Sequence, residues 1–416
     1  MKVAEARTAA NHACASIFIF HRSSFTVNLS SSPRLPESPM SPSDALLRLA
    51  LIPGLGPITA QKLIDASADE AEGLAGLFRW PMQRLQAIDG VGPERARRIC
   101  DPQGDESVAR ERAECHGAGV RIITRGDAEY PRAFLELNDA PLAVWIQGAI
   151  EPRDALGVAV IGPRRPTAYG HRTAHRFSTG LARLGTCLIS GLARGIDTVA
   201  HEAALAAGAR TIAVLGSGIG KLYPEENAPL AARIANGRGA VISEFPFRTP
   251  PSPGTFPRRN RLVAALGLAT LVVEAGERSG ALITARLASE MGRCVLVVPG
   301  AIDNPESIGA NKLIRDGATL VASLDDIINE IEPLTTLAHG VTGMSPGQTQ
   351  NQPSPRSESL SGREKQLYLL LDDSPRTVDD LVRSTQIPPS AVSATLLSLE
   401  LRRLARKGPT GFVKAI

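Results

Sequence analysis

The chain has 416 residues and a net charge of +4, with 43% hydrophobic and 4% aromatic residues. This length is too great for one ordinary domain, so we expect two or three. The five scattered cysteines include no C-x-x-C pair, which excludes a zinc or redox site of that type and fits reduced thiols in a cytoplasm. No stretch approaches the roughly 20 apolar residues that span a bilayer, so no membrane segment is expected.

Residues 1–42 are predicted to be a disordered tail or a mis-annotated start. Residues 1–39 are rich in Ser, Pro and Ala, and their one apolar stretch, at 13–20, is short. Met40 directly precedes a well-patterned helix, which makes it an alternative start. We assign no function to this segment.

Residues 43–115 are predicted to form a helical domain with a weak internal repeat. Both copies, at 51–57 and 88–93, contain a Gly-x-Gly-Pro turn between two short helices. Such turns are typical of helix-hairpin-helix units, whose glycines let the backbone approach a DNA phosphate. A turn used only for helix packing fits equally well, because the first hairpin has no nearby cation. Both interpretations stay open.

Residues 116–332 are predicted to form a Rossmann-like α/β domain that begins with a connector containing strand-like runs at 120–123 and 143–146. From residue 157 onward, apolar β-branched runs alternate with helix-like segments, which favours a doubly wound parallel sheet. Ligands of such sheets bind at the carboxyl ends of the strands. The runs are 158–161, 187–189, 211–215, 240–242, 270–273, 294–298 and 319–321, and the main helix-like segments are 170–184, 198–207, 224–235 and 279–290.

The end of the chain is predicted to hold a flexible linker and a small domain. Residues 333–361 are rich in Pro, Gly, Ser, Gln and Thr without an apolar period, as in a flexible linker. Residues 362–416 read as three helices followed by a hairpin, which indicates a winged helix.

Positive charge is concentrated in two stretches without an acidic residue. Residues 155–196 carry six arginines and two histidines, and residues 245–273 include the run Pro-Arg-Arg-Asn-Arg. Glycine-rich turns follow four predicted strands, at 162–167, 190–197, 216–221 and 274–280. Cations beside exposed backbone N–H groups suit phosphates. The sequence therefore predicts a site for nucleotides or a nucleic acid backbone.

No catalytic or metal-binding constellation accompanies these turns. The turn at 216–221 is not a Walker A loop, because no Ser or Thr follows its lysine. His171 and His175 lie one helical turn apart without a third ligand. Glu244 and Glu274 could form an acid–base pair, but we favour roles in holding arginines or loop amides. We predict no catalytic residue, no metal and no cofactor.

Longer motifs in the α/β domain are specific. They include Ile-Gly-Pro-Arg-Arg-Pro-Thr-Ala-Tyr-Gly at 161–170, Ser-Gly-Leu-Ala-Arg-Gly-Ile-Asp-Thr-Val-Ala-His at 190–201, Ser-Glu-Phe-Pro at 243–246, Phe-Pro-Arg-Arg-Asn-Arg at 256–261 and Ser-Gly-Ala-Leu-Ile-Thr-Ala at 279–285. Together they resemble the DNA-processing protein DprA family, also called Smf. The resemblance covers roughly residues 43–330.

This resemblance implies an extended Rossmann-like doubly wound sheet, preceded by a small helix-hairpin-helix or SAM-like domain and followed by a winged helix. It implies a cytoplasmic, homodimeric, non-enzymatic protein that binds single-stranded DNA, protects incoming strands and loads the RecA recombinase during natural transformation. The nucleic-acid-binding residues expected from the motifs are Gly162, Arg164, Ser190, Gly191, Arg194, Gly195, Gly216, Gly218, Phe256, Arg259, Asn260, Arg261, Ser279, Gly280 and Thr284.

Two positions depart from the family pattern. Pro163 stands where the family's Gly-Ser/Ala-Arg motif has a small residue, which removes one N–H donor. Pro253 stands where many relatives have a lysine, and Arg258 is expected to supply that charge instead.

Four arginines, Arg164, Arg194, Arg259 and Arg261, are expected to converge at the carboxyl ends of the strands and to neutralise phosphates. In an alternative interpretation, Arg259 pairs with Glu244 or Glu274 and only stabilises the fold.

Two other functions compete with this interpretation. A nucleotide phosphoribohydrolase on a related Rossmann fold would carry a Pro-Gly-Gly-x-Gly-Thr loop, whereas residues 277–284 read Glu-Arg-Ser-Gly-Ala-Leu-Ile-Thr. A transcriptional regulator would use the winged helix and its basic run at 402–407, although such charges commonly mark a solvated helix end.

Overall fold

The computed structural model describes residues 40–331, 333–334, 362–371, 376–385, 387–401, 404–408 and 411–414. The chain divides into one compact unit within residues 1–342 and another within 343–416. The tail predicted at 1–39 and nearly all of the linker predicted at 333–361 lie outside the described residues. Among the described helices, none has the length and apolar character needed to cross a membrane.

Six helices open the larger unit. The first is capped by Ser41, whose hydroxyl accepts a hydrogen bond from the Asp44 N–H at 3.1 Å. The helices share an apolar core of their own, in which Leu49, Leu63 and Ile99 are fully buried. They are α1 (Pro42–Leu51), α2 (Pro57–Ser67), α3 (Gly73–Gly76), α4 (Met82–Gln86), α5 (Pro93–Ile99) and α6 (Gly104–Gly117).

Both Gly-x-Gly-Pro turns lie between helices, the first joining α1 to α2 and the second joining α4 to α5. Gly54 and Gly90 adopt φ values of 78° and 88°, a left-handed conformation that favours glycine. The two repeats pack against each other, since Arg98 donates to the Pro53 carbonyl at 3.2 Å. These contacts support a packing role, while DNA contact by the hairpins stays a prediction.

A nine-stranded sheet forms the centre of the larger unit. Its strand order is β1-β2-β6-β5-β4-β3-β7-β8-β9, and the seven strands from β6 to β9 in this order are parallel to one another. Strand β3 lies in the middle, so the chain first builds β4 to β6 on one side and then β7 to β9 on the other. The strands are β1 (Val120–Thr124), β2 (Ala143–Gly148), β3 (Gly157–Ile161), β4 (Cys187–Ser190), β5 (Thr211–Val214), β6 (Gly239–Ser243), β7 (Ala269–Val272), β8 (Cys294–Val297) and β9 (Thr319–Leu320).

Both faces of this sheet are buried. Along β3, Val158 and Val160 belong to one apolar cluster, while Ala159 and Ile161 belong to another, as the two-residue period of a strand requires. The helices that cover the sheet and its loops are α7 (Arg132–Leu135), α8 (Ala168–Arg183), α9 (Ile196–Ala206), α10 (Ala228–Ala235), α11 (Thr255–Leu266), α12 (Gly280–Glu290), α13 (Ile308–Arg315) and α14 (Leu324–Glu330). Short 3-10 helices lie at Leu77–Arg79, Pro152–Ala155, Ile219–Lys221, Glu225–Asn227 and Pro305–Ser307.

The predicted doubly wound parallel sheet is confirmed, and the connector adds two strands to it. Strand β2 pairs antiparallel with β6, and β1 pairs antiparallel with β2. Trp145 of β2 is fully buried, and its indole N–H donates to Glu111 of α6 at 2.8 Å. The connector is therefore part of the sheet and ties it to the helical domain.

The smaller unit contains three helices and a hairpin, as the sequence predicts. Its core includes Leu367, Leu381 and Leu396, all fully buried. Its elements are α15 (Gly362–Leu370), α16 (Val378–Thr385), α17 (Pro389–Leu401), β10 (Ala405–Gly408) and β11 (Gly411–Lys414), with β10 and β11 antiparallel.

Candidate nucleic-acid interface

A pocket of about 790 Å³ lies at the carboxyl edge of the sheet. It opens where the strand order reverses, between β3 and β7, which is the usual ligand position in doubly wound sheets. We call it the edge pocket. Nine of the predicted binding residues line it: Gly162, Arg164, Gly191, Phe256, Arg259, Asn260, Ser279, Gly280 and Thr284.

Arg259 is a buried cation of the edge pocket. Helix α11 carries it beneath the turn that follows β4, with 5% of the residue exposed, and its Nη1 donates to the Val214 carbonyl at 2.7 Å. Its Nε has no hydrogen-bond partner, and no carboxylate lies within 4 Å of it among the described residues. Burial lowers the pKa of this guanidinium to about 10, against the attraction of Asp197. The predicted alternative, pairing with Glu244 or Glu274, is wrong.

Gly191 makes room for this arginine. A Cβ atom at Gly191 would overlap the Arg259 guanidinium. The glycine is therefore required by close packing rather than by an unusual backbone angle.

Asp197 organises the turn after β4 from within. Its Oδ2 accepts hydrogen bonds from the Gly191 and Ala193 N–H groups at 3.1 and 3.2 Å. Burial raises the pKa of this carboxyl, and Arg259 opposes that shift. These two N–H groups are therefore occupied, and the expectation that this turn aims them at an anion is wrong.

Arg164 and Phe256 form the wall of the edge pocket beside the turn after β3. The Arg164 guanidinium carbon lies 5.1 Å from the centre of the Phe256 ring, and the Tyr223 and Phe256 ring centroids are 5.9 Å apart. Arg164 is exposed and has no carboxylate within 4 Å among the described residues. The wall thus offers a cation and a partly exposed aromatic ring side by side. Pro163 also lines the pocket.

Glu274 holds the turn after β3 in place. Its two carboxylate oxygens accept from the Thr167 N–H at 2.9 Å and from the Thr167 hydroxyl at 2.7 Å. The same hydroxyl accepts from the Gly170 N–H at 3.0 Å and caps helix α8. Glu274 therefore binds a loop amide and Glu244 binds arginines, which confirms the favoured interpretation of both carboxylates.

The opposite wall comes from the turn before α12. Ser279 caps this helix by accepting from the Ala281 N–H at 3.3 Å, so the first turn of α12 faces the pocket at Gly280. Glu277 and Glu306 also line the pocket and place negative charge at its mouth.

Arg261 does not lie in the edge pocket. It is 6% exposed, and its guanidinium pairs with Glu244 at 2.5 Å and with Asp139 at 2.9 Å. Arg258 also reaches Glu244, at 3.3 Å. The expectation that four arginines converge is therefore wrong for Arg261, because the Glu244 and Asp139 carboxylates hold it in place.

Four further predicted residues support the site without lining it. The Ser190 hydroxyl is buried and donates to the Val160 carbonyl at 2.6 Å. Gly195 adopts a φ of 76°, where a Cβ atom would meet the Pro163 carbonyl. Gly216 packs against the Phe256 ring, and the Gly218 N–H donates to the Thr249 carbonyl at 2.9 Å. The Gly218 N–H is therefore occupied within the protein, and phosphate contact by the rest of the turn after β5 stays a prediction.

Arg194 lines a small hollow next to the edge pocket, together with Arg164, Phe256 and Tyr223. It pairs with Glu226, with one contact of 2.8 Å, and is therefore partly neutralised. The list of binding residues expected from the sequence does not include Asp197 or Tyr223. Asp197 lies within the motif at 190–201, which is the signal that could have found it.

Comparison with known proteins decides the family. Residues 121–332 match the family model described as DNA recombination-mediator protein A. The chain belongs to this family, DprA. Residues 351–411 match the DprA winged helix domain, which supports the fold of the smaller unit.

Individual relatives agree with this assignment. Protein Smf of Escherichia coli K12 is 37% identical over 285 residues, which cover 68% of this chain and 75% of Smf. DNA processing protein DprA of Streptococcus pneumoniae is 40% identical over 203 residues, which cover 49% of this chain and 71% of that protein. An X-ray structure of the S. pneumoniae protein superposes with a TM-score of 0.61 and 31% identity, covering 70% of this chain and 99% of that one.

Proposed function

We propose that this chain binds single-stranded DNA through the edge pocket and acts as a recombination mediator. The observation that carries the proposal is Arg259, a buried guanidinium with no ion-pair partner among the described residues. Burying a charge without a close counterion is costly. A phosphate in the edge pocket would supply that counterion. Its family membership, with a name that refers to recombination mediation, supports the same conclusion.

A single strand suits this pocket better than a duplex. The cations lie in a recess, and Arg259 lies beneath a turn rather than on an open surface. A flexible single strand can enter such a recess. A duplex is too wide to enter, so its phosphates stay outside. The Phe256 ring offers a face for an unpaired base, and such stacking contributes about 1–3 kcal/mol per base.

The proposal includes a non-enzymatic role. Both oxygens of Glu274 are occupied by Thr167, and Glu244 is held by Arg261 and Arg258. Neither carboxylate is free to attack or to protonate a sugar. Arginines that bind a phosphate equally well before and during a reaction give affinity without rate.

The proposal also covers partners and place of action. We infer a cytoplasmic homodimer that hands single strands to the RecA recombinase during natural transformation. A continuous strand that occupies two edge pockets would bind the dimer more tightly than a single pocket.

A gel-shift series tests the core of this proposal. We expect single-stranded DNA to bind more tightly than duplex DNA of the same sequence, with a log–log salt slope of about −0.7 for each phosphate contacted. Equal affinity for the two forms would contradict the proposal. Incubation with nucleoside monophosphates serves as the enzymatic control, and steady release of free base would favour a phosphoribohydrolase.

A further inference from the structure

Helix α8 carries a row of exposed basic side chains outside the edge pocket. His171, Arg172, His175, Arg176 and Arg183 are all exposed, whereas the opposite side of the helix is buried. We call this row the α8 strip. The first four members recur at three- and four-residue intervals, and Arg183 follows Arg176 by seven residues, about two helical turns, so all five share one side of the helix. From Arg172 to Arg183 the strip is about 16 Å long.

The arginines of the α8 strip differ from many others on this protein. Exposed arginines elsewhere pair with carboxylates, for example Arg233 with Glu202 and Arg286 with Glu290. Among the described residues, no carboxylate lies within 4 Å of Arg172, Arg176 or Arg183. Helix α8 itself contains no acidic residue. These three arginines therefore have no close counterion among the described residues and are available to an external anion.

The strip follows the edge pocket along the chain. Arg164 lines the pocket, Arg165 follows it as an exposed residue, and α8 starts at Ala168. Thr167, which Glu274 holds, fixes the start of the helix relative to the pocket. Farther along, Arg176 donates to the Ala322 carbonyl at 3.3 Å, so the strip runs on beside the segment that follows β9.

We propose that the α8 strip is a second phosphate-binding surface, which receives the backbone of a single strand that leaves the edge pocket. Arg172 and Arg176 lie one helical turn apart and would each neutralise a phosphate. A polyanion that starts in the pocket meets the strip next, and this continuity favours DNA over an unrelated acidic protein. This inference rests on the proposed function of the pocket.

Oligonucleotide length separates the two surfaces. Short strands of about 5 nucleotides fill the pocket alone, and strands of about 15 nucleotides also reach the strip. The double variant Arg172→Ala/Arg176→Ala should bind the short strand like the unmodified protein. Its affinity for the long strand should fall about tenfold at low salt, and its salt slope should flatten by about 1.4, two phosphates at 0.7 each.

Matched variants make each outcome decisive. Arg233→Ala/Arg286→Ala removes two exposed arginines that are paired, and it should change neither length. Arg164→Ala should weaken both lengths, and if it weakens neither, the pocket proposal fails independently of the strip. The strip proposal is overturned if Arg172→Ala/Arg176→Ala binds the long strand with unchanged affinity and slope, or if it weakens both lengths equally. Circular dichroism melting confirms that each variant is folded.

Discussion

At the scale of single residues, two arginines on one helix have opposite roles. Arg259 faces the edge pocket and lacks a close carboxylate among the described residues, whereas Arg261 pairs with Glu244 and Asp139. Arg259→Ala should weaken single-strand binding and flatten the salt slope by about 0.7. Arg261→Ala should leave the slope unchanged and cost stability, at most about 3–5 kcal/mol, because buried Glu244 loses its buried partner and keeps only the more exposed Arg258 at 3.3 Å. Salt titrations and denaturant unfolding of both variants test this contrast, and a flattened slope in Arg261→Ala would contradict it.

His201 should make the fold sensitive to acid. It is fully buried in α9, its Nδ1 lies 2.7 Å from the Thr211 hydroxyl, and burial together with Arg259 lowers its pKa to about 3. Between the unfolded pKa of about 6.5 and the folded value, the unfolded chain binds one more proton. Stability from this group is therefore complete above pH 6.5 and falls by up to about 1.4 kcal/mol per unit as the pH drops toward 3. Unfolding measured from pH 7 to pH 4 should show a shallower slope for His201→Asn, and equal slopes would exclude this role.

At the scale of elements, the turn between β3 and α8 depends on the carboxylate of Glu274, which follows β7. Glu274→Gln removes the negative charge and replaces one carboxylate oxygen with an N–H₂ group, so the bond that the Thr167 hydroxyl donates must reverse its direction or break. We expect several-fold weaker binding of single strands with an unchanged salt slope, since no phosphate contact is removed. Thr167→Ser keeps both the hydroxyl and the N–H, and it should bind like the unmodified protein. A Glu274→Gln variant with full affinity would show that the turn holds its shape without this carboxylate.

The parallel sheet could be predicted because its strands are short apolar runs between helices, and such runs need both faces covered. The place of β1 and β2 could not be predicted, because it depends on pairing with β6, which is distant in sequence. The edge pocket was predicted in outline from its glycine turns and arginines. The partners of the individual N–H groups and guanidinium groups could not be predicted. Asp197, Thr249 and Asp139 reach these groups only through the tertiary fold.

At the scale of the whole molecule, the edge pocket belongs entirely to the larger unit, within residues 1–342. A chain truncated after residue 342 should therefore keep its affinity for short single strands and melt cooperatively. Gel shifts and thermal melting of the truncated and full chains check this expectation. A large loss of affinity for short strands would show that the winged helix contributes directly to strand binding.

The overlap that a Cβ atom at Gly191 would make with the Arg259 guanidinium couples two positions that are far apart in the chain. In evolutionary terms, the arginine at 259 requires the glycine at 191, but the glycine does not require the arginine. A lineage that retains the arginine must keep glycine at the first position, because even one methyl group would displace the cation. A lineage that replaces the arginine with a small residue is released from this constraint and is free to acquire a side chain opposite it. Loss of DNA binding among relatives would then leave a trace at Gly191, a position that need not touch DNA itself.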